Sequence, residues 1–108
     1  MRIEFDPAKE QLNMEKHGVS LTLAGLLDWQ TAVIAQDKRV GYFERYDEVR
    51  YRAFGMIGTV VYFVAFTPRM DGDNKPVMRP ISMRRAFRNE ARNYEYARKN
   101  HARVQPGK

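Results

Sequence analysis

Three short stretches of this chain carry residue types that could work on a phosphodiester. In the segment YDEVRYRAFG, strand alternation puts Glu48, Arg50 and Arg52 on one face and Val49, Tyr51 and Ala53 on the other. A carboxylate two residues from a guanidinium can take a proton while the cation neutralises charge on a phosphate. The same pair on a solvated face is a surface ion pair worth little. In PISMRRAF, Arg84 shares a face with Ser82, and Arg85 points the other way. A strand end that runs into a helix can hold a guanidinium rigidly near a phosphate, although Arg85 can equally close a helix end. The third stretch is Lys16-His17 at the end of a predicted helix. There the pair either caps the helix dipole or offers an imidazole for proton transfer near neutral pH. Tyr42, Tyr46 and Tyr51 could stack on bases or fill a core.

Other chemistries are excluded by composition. The chain of 108 residues has no cysteine, which removes disulfides, thiol nucleophiles and cysteine zinc sites. Two histidines, His17 and His101, do not suggest a histidine metal site, and no metal or cofactor is expected. The formal charge of +6 is unevenly placed. Residues 1–78 hold 10 Lys/Arg against 11 Asp/Glu, whereas residues 79–108 hold 9 against 2, seven of the nine being arginine. An excess of this kind points to a polyanion or an acidic protein as partner, or to a solvated helix face. No segment has the length and apolarity of a membrane span or signal peptide, so a cytoplasmic protein without membrane association is expected.

The elements that must position these groups follow from local signals. Ile3–Phe5 alternates like a short strand. Asp6 as N-cap and Pro7 at the first helical position start a helix that ends at His17-Gly18, with glycine as the left-handed cap. A second, apolar helix is expected from Ser20 to about Asp28. Strands follow at Thr31–Ala35, Glu48–Met56, Thr59–Phe66 and Val77–Met83, with a loop at Gln36–Asp47 and another at Met70–Pro76. Ile57-Gly58 marks a tight turn, and Pro80 inside the last strand demands an edge or a bulge. A basic helix then runs to about Asn100. Its apolar stripe is Phe87, Ala91 and Tyr94, and Arg85, Arg88, Arg92 and Lys99 lie on a different, exposed face. The expectation is one α+β domain over residues 1–100 with a frayed tail at 101–108. Two N-terminal helices would lie on one face of an antiparallel sheet of about four strands, followed by the basic C-terminal helix.

Three blocks, in order, resemble the BrnT family of toxins from type II toxin–antitoxin systems, a branch of the RelE/ParE-like ribonuclease fold. The family's N-terminal signature is similar to F-x-W-D-x-x-K, an Asn, then K-H-G-V-S. Here it reads Ile3-Glu4-Phe5-Asp6-Pro7-Ala8-Lys9, Asn13, and Lys16-His17-Gly18-Val19-Ser20. The middle block is Glu48-Val49-Arg50-Tyr51 leading to Gly55, and the last is Arg79, Ile81, Ser82, Arg84, Ala86, Glu90 and Tyr94. Ile3, Phe5 and Leu21 depart from the pattern as core exchanges. Pro80 replaces a β-branched residue, and Phe87 stands where a threonine commonly caps the last helix against the glutamate three residues on.

The resemblance implies a RelE-like fold and a metal-independent endoribonuclease that cleaves mRNA during translation, with the RNA's own 2′-hydroxyl as nucleophile. It implies neutralisation by a ribbon–helix–helix antitoxin that also represses the operon, so operator DNA is met only through the antitoxin. On this reading the catalytic group is His17, Glu48, Arg50 and Arg84. Glu48 or His17 acts as base, and Arg50 and Arg84 as charge stabilisers. Lys16, Arg79, Arg85, Arg88 and Arg92 hold the RNA backbone. Three rival readings are a module that binds RNA or the ribosome without cutting, a ParE-like inhibitor of a topoisomerase, and a degenerate toxin kept only as an operon component.

Overall fold

The computed structural model describes residues 2–38 and 49–104. Helix α1 spans Pro7–His17 and begins as its sequence predicts: the Asp6 carboxylate accepts from the Ala8 N–H at 2.8 Å, with proline in the first turn. It ends at Gly18, whose φ of 67° is left-handed and whose N–H donates to Met14 O at 2.9 Å.

The second predicted helix forms as a 3-10 helix, Leu21–Leu26, rather than an α-helix reaching Asp28. Leu21, Ala24 and Leu27 are its buried residues, and their spacing of three matches the three-residue turn of a 3-10 helix. Its start is pinned twice. Ser20 Oγ accepts from the Thr22 N–H, and Glu10 of α1 accepts from both the Leu21 N–H and the Ser20 hydroxyl at 2.7 Å.

The strands are β1 (Arg2–Ile3), β2 (Val33–Gln36), β3 (Tyr51–Ile57), β4 (Val60–Met70) and β5 (Pro76–Arg85), in the order β1-β5-β4-β3-β2. The expected antiparallel sheet of about four strands is thus a mixed sheet of five. β2 to β5 form the antiparallel meander, and β1 joins β5 in parallel through Arg2↔Val77 and Ile3↔Met78. Gly58, at φ 61°, supplies the tight turn between β3 and β4. Pro80 sits at a bulge: it faces Phe66 while Ser82 faces Ala65, so Ile81 is the extra residue. A proline inside a paired strand is accommodated by that shift.

Register divides the sheet into two faces. Ala53, Val64, Phe66, Met78 and Met83 point to one side and form the core with Leu21, Ala24 and Leu27. A side chain at Gly55 would place its Cβ 2.8 Å from Leu27 Cδ2, so glycine is what lets Leu27 sit that close to β3. Trp29 seals the end of this layer, edge-on to Phe66 at 5.3 Å and donating its indole N–H to Ala24 O.

Helix α2, Arg88–Val104, covers part of the opposite face and runs one turn beyond its expected end. Its Tyr94 is buried, with the hydroxyl donating to Thr31 O at 3.2 Å, and Arg98 reaches Met56 Sδ at 3.6 Å. The helices therefore do not share one face. The 3-10 helix and α2 lie on opposite sides, and α1 flanks the edge of β5. Among the described residues no helix is long and apolar enough to cross a membrane.

Candidate functional site

β1 pairs only with the first half of β5, and α1 takes up the edge beyond it. Asn13 makes the join. Its Oδ1 accepts from the Met83 N–H at 3.0 Å, and its Nδ2 donates to Met83 O and Val19 O at 2.8 Å each. The carboxamide thus pairs with a strand edge as another strand would, and it is buried. This bond set leaves a groove of about 160 Å³ between helix and strand, lined by Lys9, Leu12, Asn13, Lys16, His17, Ile81 and Ser82.

His17 stands at the C-terminal end of that groove, half-buried. Partial burial, then the positive charges of Lys16 and Arg84, push its imidazole below the ordinary value of 6.5. It is therefore mainly neutral at pH 7 and able to accept a proton. The Arg84 charge that contributes to this shift comes from two residues beyond Ser82 on β5.

Arg84 is also a structural clamp. Its guanidinium makes two bonds to the Glu90 carboxylate, Nη1–Oε1 at 2.7 Å and Nη2–Oε2 at 3.0 Å, and Nη1 donates to Arg85 O at 3.3 Å. Its Cζ lies over the rings of both Phe63 and Phe87, 4.6 and 4.2 Å from their centroids. Glu90 accepts in addition from the Phe87 N–H at 2.8 Å. Half of a capping box therefore survives although Phe87 replaces the usual threonine, and α2 starts at Arg88. The Arg84 bond, the Phe87 N–H and the Arg84 charge together outweigh partial burial and hold the Glu90 carboxyl below its ordinary value.

The rest of the open face is basic. Phe63↔Arg84, Ala65↔Ser82 and Thr67↔Arg79 face one another between β4 and β5, and Arg52 faces Ala65 across β3. The Asp37 N–H donates to Arg50 O at 2.8 Å, which extends the β2–β3 ladder one residue past Gln36↔Tyr51. Alternation then sets Arg50 on the same side as Arg52. Arg50, Arg52, Arg79 and Arg84 thus share the sheet face that α2 leaves partly open. Thr67 beneath them is tied down through its hydroxyl, which donates to Val49 O at 2.7 Å.

The remaining sequence candidates are spread out. Arg85 pairs with Tyr62 and is exposed on the other side of the sheet from Arg84. Arg88 and Arg92 are exposed one turn apart on α2, and Lys16 lines the groove. Glu48, Tyr42 and Tyr46 lie outside the described residues. Lys9 and Ser82 line the groove but were not singled out as binding residues by sequence, because nothing local links a helix lysine to a strand serine more than seventy positions on. Among the described residues no group of three or more His, Asp or Glu side chains is placed to hold a metal ion.

Comparison with known families matches residues 5–90 to the model described as the ribonuclease toxin BrnT of type II toxin–antitoxin systems. No curated protein matches the chain.

Proposed function

The chain belongs to the BrnT family of ribonuclease toxins of type II toxin–antitoxin systems, and on that footing we propose that it cuts mRNA in the groove between α1 and β5. The observation that carries this reading is the meeting of His17, Lys16 and Ser82 in one groove, with Arg84 two residues along β5 from Ser82. In this mechanism the neutral His17 imidazole takes the proton from a ribose 2′-hydroxyl. The 2′-oxygen attacks the adjacent phosphorus, the bond to the 5′-oxygen breaks, and that oxygen leaves with a proton from water. The products are a 2′,3′-cyclic phosphate and a free 5′-hydroxyl, with no metal ion required.

The charge that builds on the phosphorane needs fixed cations in a partly dehydrated site. Arg84 is preorganised by Glu90 and two aromatic rings for that role, and Lys16 adds a second positive charge. Arg50, Arg52 and Arg79 form the track that holds the flanking RNA backbone, and Arg88 and Arg92 extend it onto α2. Glu48, which lies outside the described residues, is the competing base that the sequence offers.

A ribbon–helix–helix antitoxin would neutralise the protein by covering this basic face, and operator DNA would be reached only through that antitoxin. The site of action is then the cytoplasm, where mRNA is translated. The test is cleavage of a defined RNA by purified protein with EDTA present. Cyclic-phosphate products, and loss of cutting when the nucleotide 5′ to the scissile bond is 2′-deoxy, are expected. Cleavage that persists at the deoxy position, or that EDTA abolishes, would overturn the mechanism.

A further inference from the structure

Phe87 starts α2 yet contributes little to the core. Its N–H is bonded to Glu90, but its ring is 60% exposed. The covered side of the ring lies on the Arg84 guanidinium at 4.2 Å, and Arg84 lies in turn on Phe63 at 4.6 Å. Arg84 thus lies over both rings, and the Phe87 ring keeps most of its surface open to solvent. An exposed aromatic ring of this kind can take a further planar group.

The surroundings say which planar group fits. His17 and Lys16 line the groove with Ser82, two residues before Arg84 on β5, and the exposed Arg88 follows Phe87 directly. Both Nη atoms of Arg84 are bonded to Glu90, so what is open to solvent here is the apolar ring of Phe87. Apolar planar contact with unpaired cations on either side matches a nucleotide of a single strand, with its base on the ring and its phosphates on Lys16 and Arg88. An apolar protein side chain would use the ring but not the cations.

We infer that Phe87 is a stacking platform for one unpaired base of the RNA, next to the phosphodiester held at His17. The inference rests on the ribonuclease reading above and adds to it a residue that positions substrate. A cover for the Arg84–Glu90 pair would be served by any bulky apolar side chain. Leucine therefore separates the two roles, because it keeps the cover and removes the aromatic face.

The test is binding of a short single-stranded RNA that contains the cut site, with a 2′-deoxy nucleotide blocking the reaction, to wild type, Phe87→Leu and Phe87→Trp. The leucine variant is expected to bind roughly tenfold more weakly. The tryptophan variant should bind at least as well as wild type, and all three should melt within a few degrees of one another. Removing one base beside the cut bond should weaken wild type by a similar factor and leave Phe87→Leu unaffected. If wild type cuts RNA but Phe87→Leu binds every RNA equally well, the platform is overturned and the ribonuclease reading stands. The same holds if only affinity for the antitoxin falls. If wild type neither binds nor cuts RNA, both readings fall together.

Discussion

The two faces of the sheet arise from one alternation and end in opposite states. On one side Ala53, Val64, Phe66 and Met83 are sealed beneath the 3-10 helix with Trp29 at the margin. On the other, the same strands present Arg52, Arg79, Arg84 and Ser82, and α2 reaches that side at Met56 through Arg98. β3 makes the point within four residues: Ala53 is fully buried while Arg52 beside it is exposed. A sheet that needs a core on one face can carry a charged face at little cost, provided that face stays open. Stability and chemistry are thus divided between opposite sides of the same strands, and substitutions should divide in the same way.

The largest effect expected on the open side is for His17→Ala. Loss of a proton-transfer group should lower the cleavage rate by about 10²- to 10⁴-fold. The urea midpoint should barely move, since the imidazole is bonded to no buried group. A rate within a factor of two of wild type would move the base elsewhere, with Glu48 next in line.

Asn13→Ala should do the reverse. It leaves the Met83 N–H and two carbonyls without partners at a buried join, which should cost about 3 kcal/mol of unfolding free energy. Equilibrium denaturation measures this. A loss near zero would mean that water replaces the carboxamide and that α1 is not held by it.

Glu90→Gln falls between the two regions, because the carboxylate both starts α2 and anchors Arg84. A loss of about 1–2 kcal/mol is expected. The sign of its pH dependence is fixed by the lowered carboxyl. The stabilisation is present above the ordinary value of 4.5 and is lost as pH falls through the lower folded value. Wild type and Glu90→Gln should therefore converge in stability on acidification; parallel curves would deny the pair its part.

The smallest effect separates neighbouring arginines. Arg79→Ala should reduce the slope of log affinity against log salt for single-stranded RNA by about 0.7. Arg85→Ala, on the other side of the sheet, should leave that slope unchanged. Equal effects would mean that RNA wraps around the β5 edge, and the contrast between faces would not hold for binding.

What was legible in the sequence was what local chemistry controls. Asp6-Pro7 and Gly18 are punctuation that acts within a few residues, and α1 begins and ends where they say. Alternation correctly separated Arg52 from Ala53 and Arg84 from Arg85. The second helix was misjudged in kind because leucine-rich α and 3-10 turns look alike, and the spacing of Leu21, Ala24 and Leu27 matters only once a sheet lies beneath them. The spacing puts Phe87 in one apolar stripe with Ala91 and Tyr94. Tyr94 is buried, but Phe87 lies at the end of the helix, beyond the covered part of the sheet, and stacks on Arg84 instead. The groove was the least legible feature. Asn13 and Met83 are 70 positions apart, and no local rule joins them.

The most direct test of the central claim is the pH dependence of kcat/KM for RNA cleavage, which reports the proton-transfer groups of the free enzyme. With His17 as a base held below 6.5 by partial burial, Lys16 and Arg84, the acid limb of the profile should have its inflection below 6.5. The rate should fall tenfold per pH unit below that single inflection, and His17→Gln should lose that limb. An inflection above 6.5, or an acid limb that survives His17→Gln, would contradict the account.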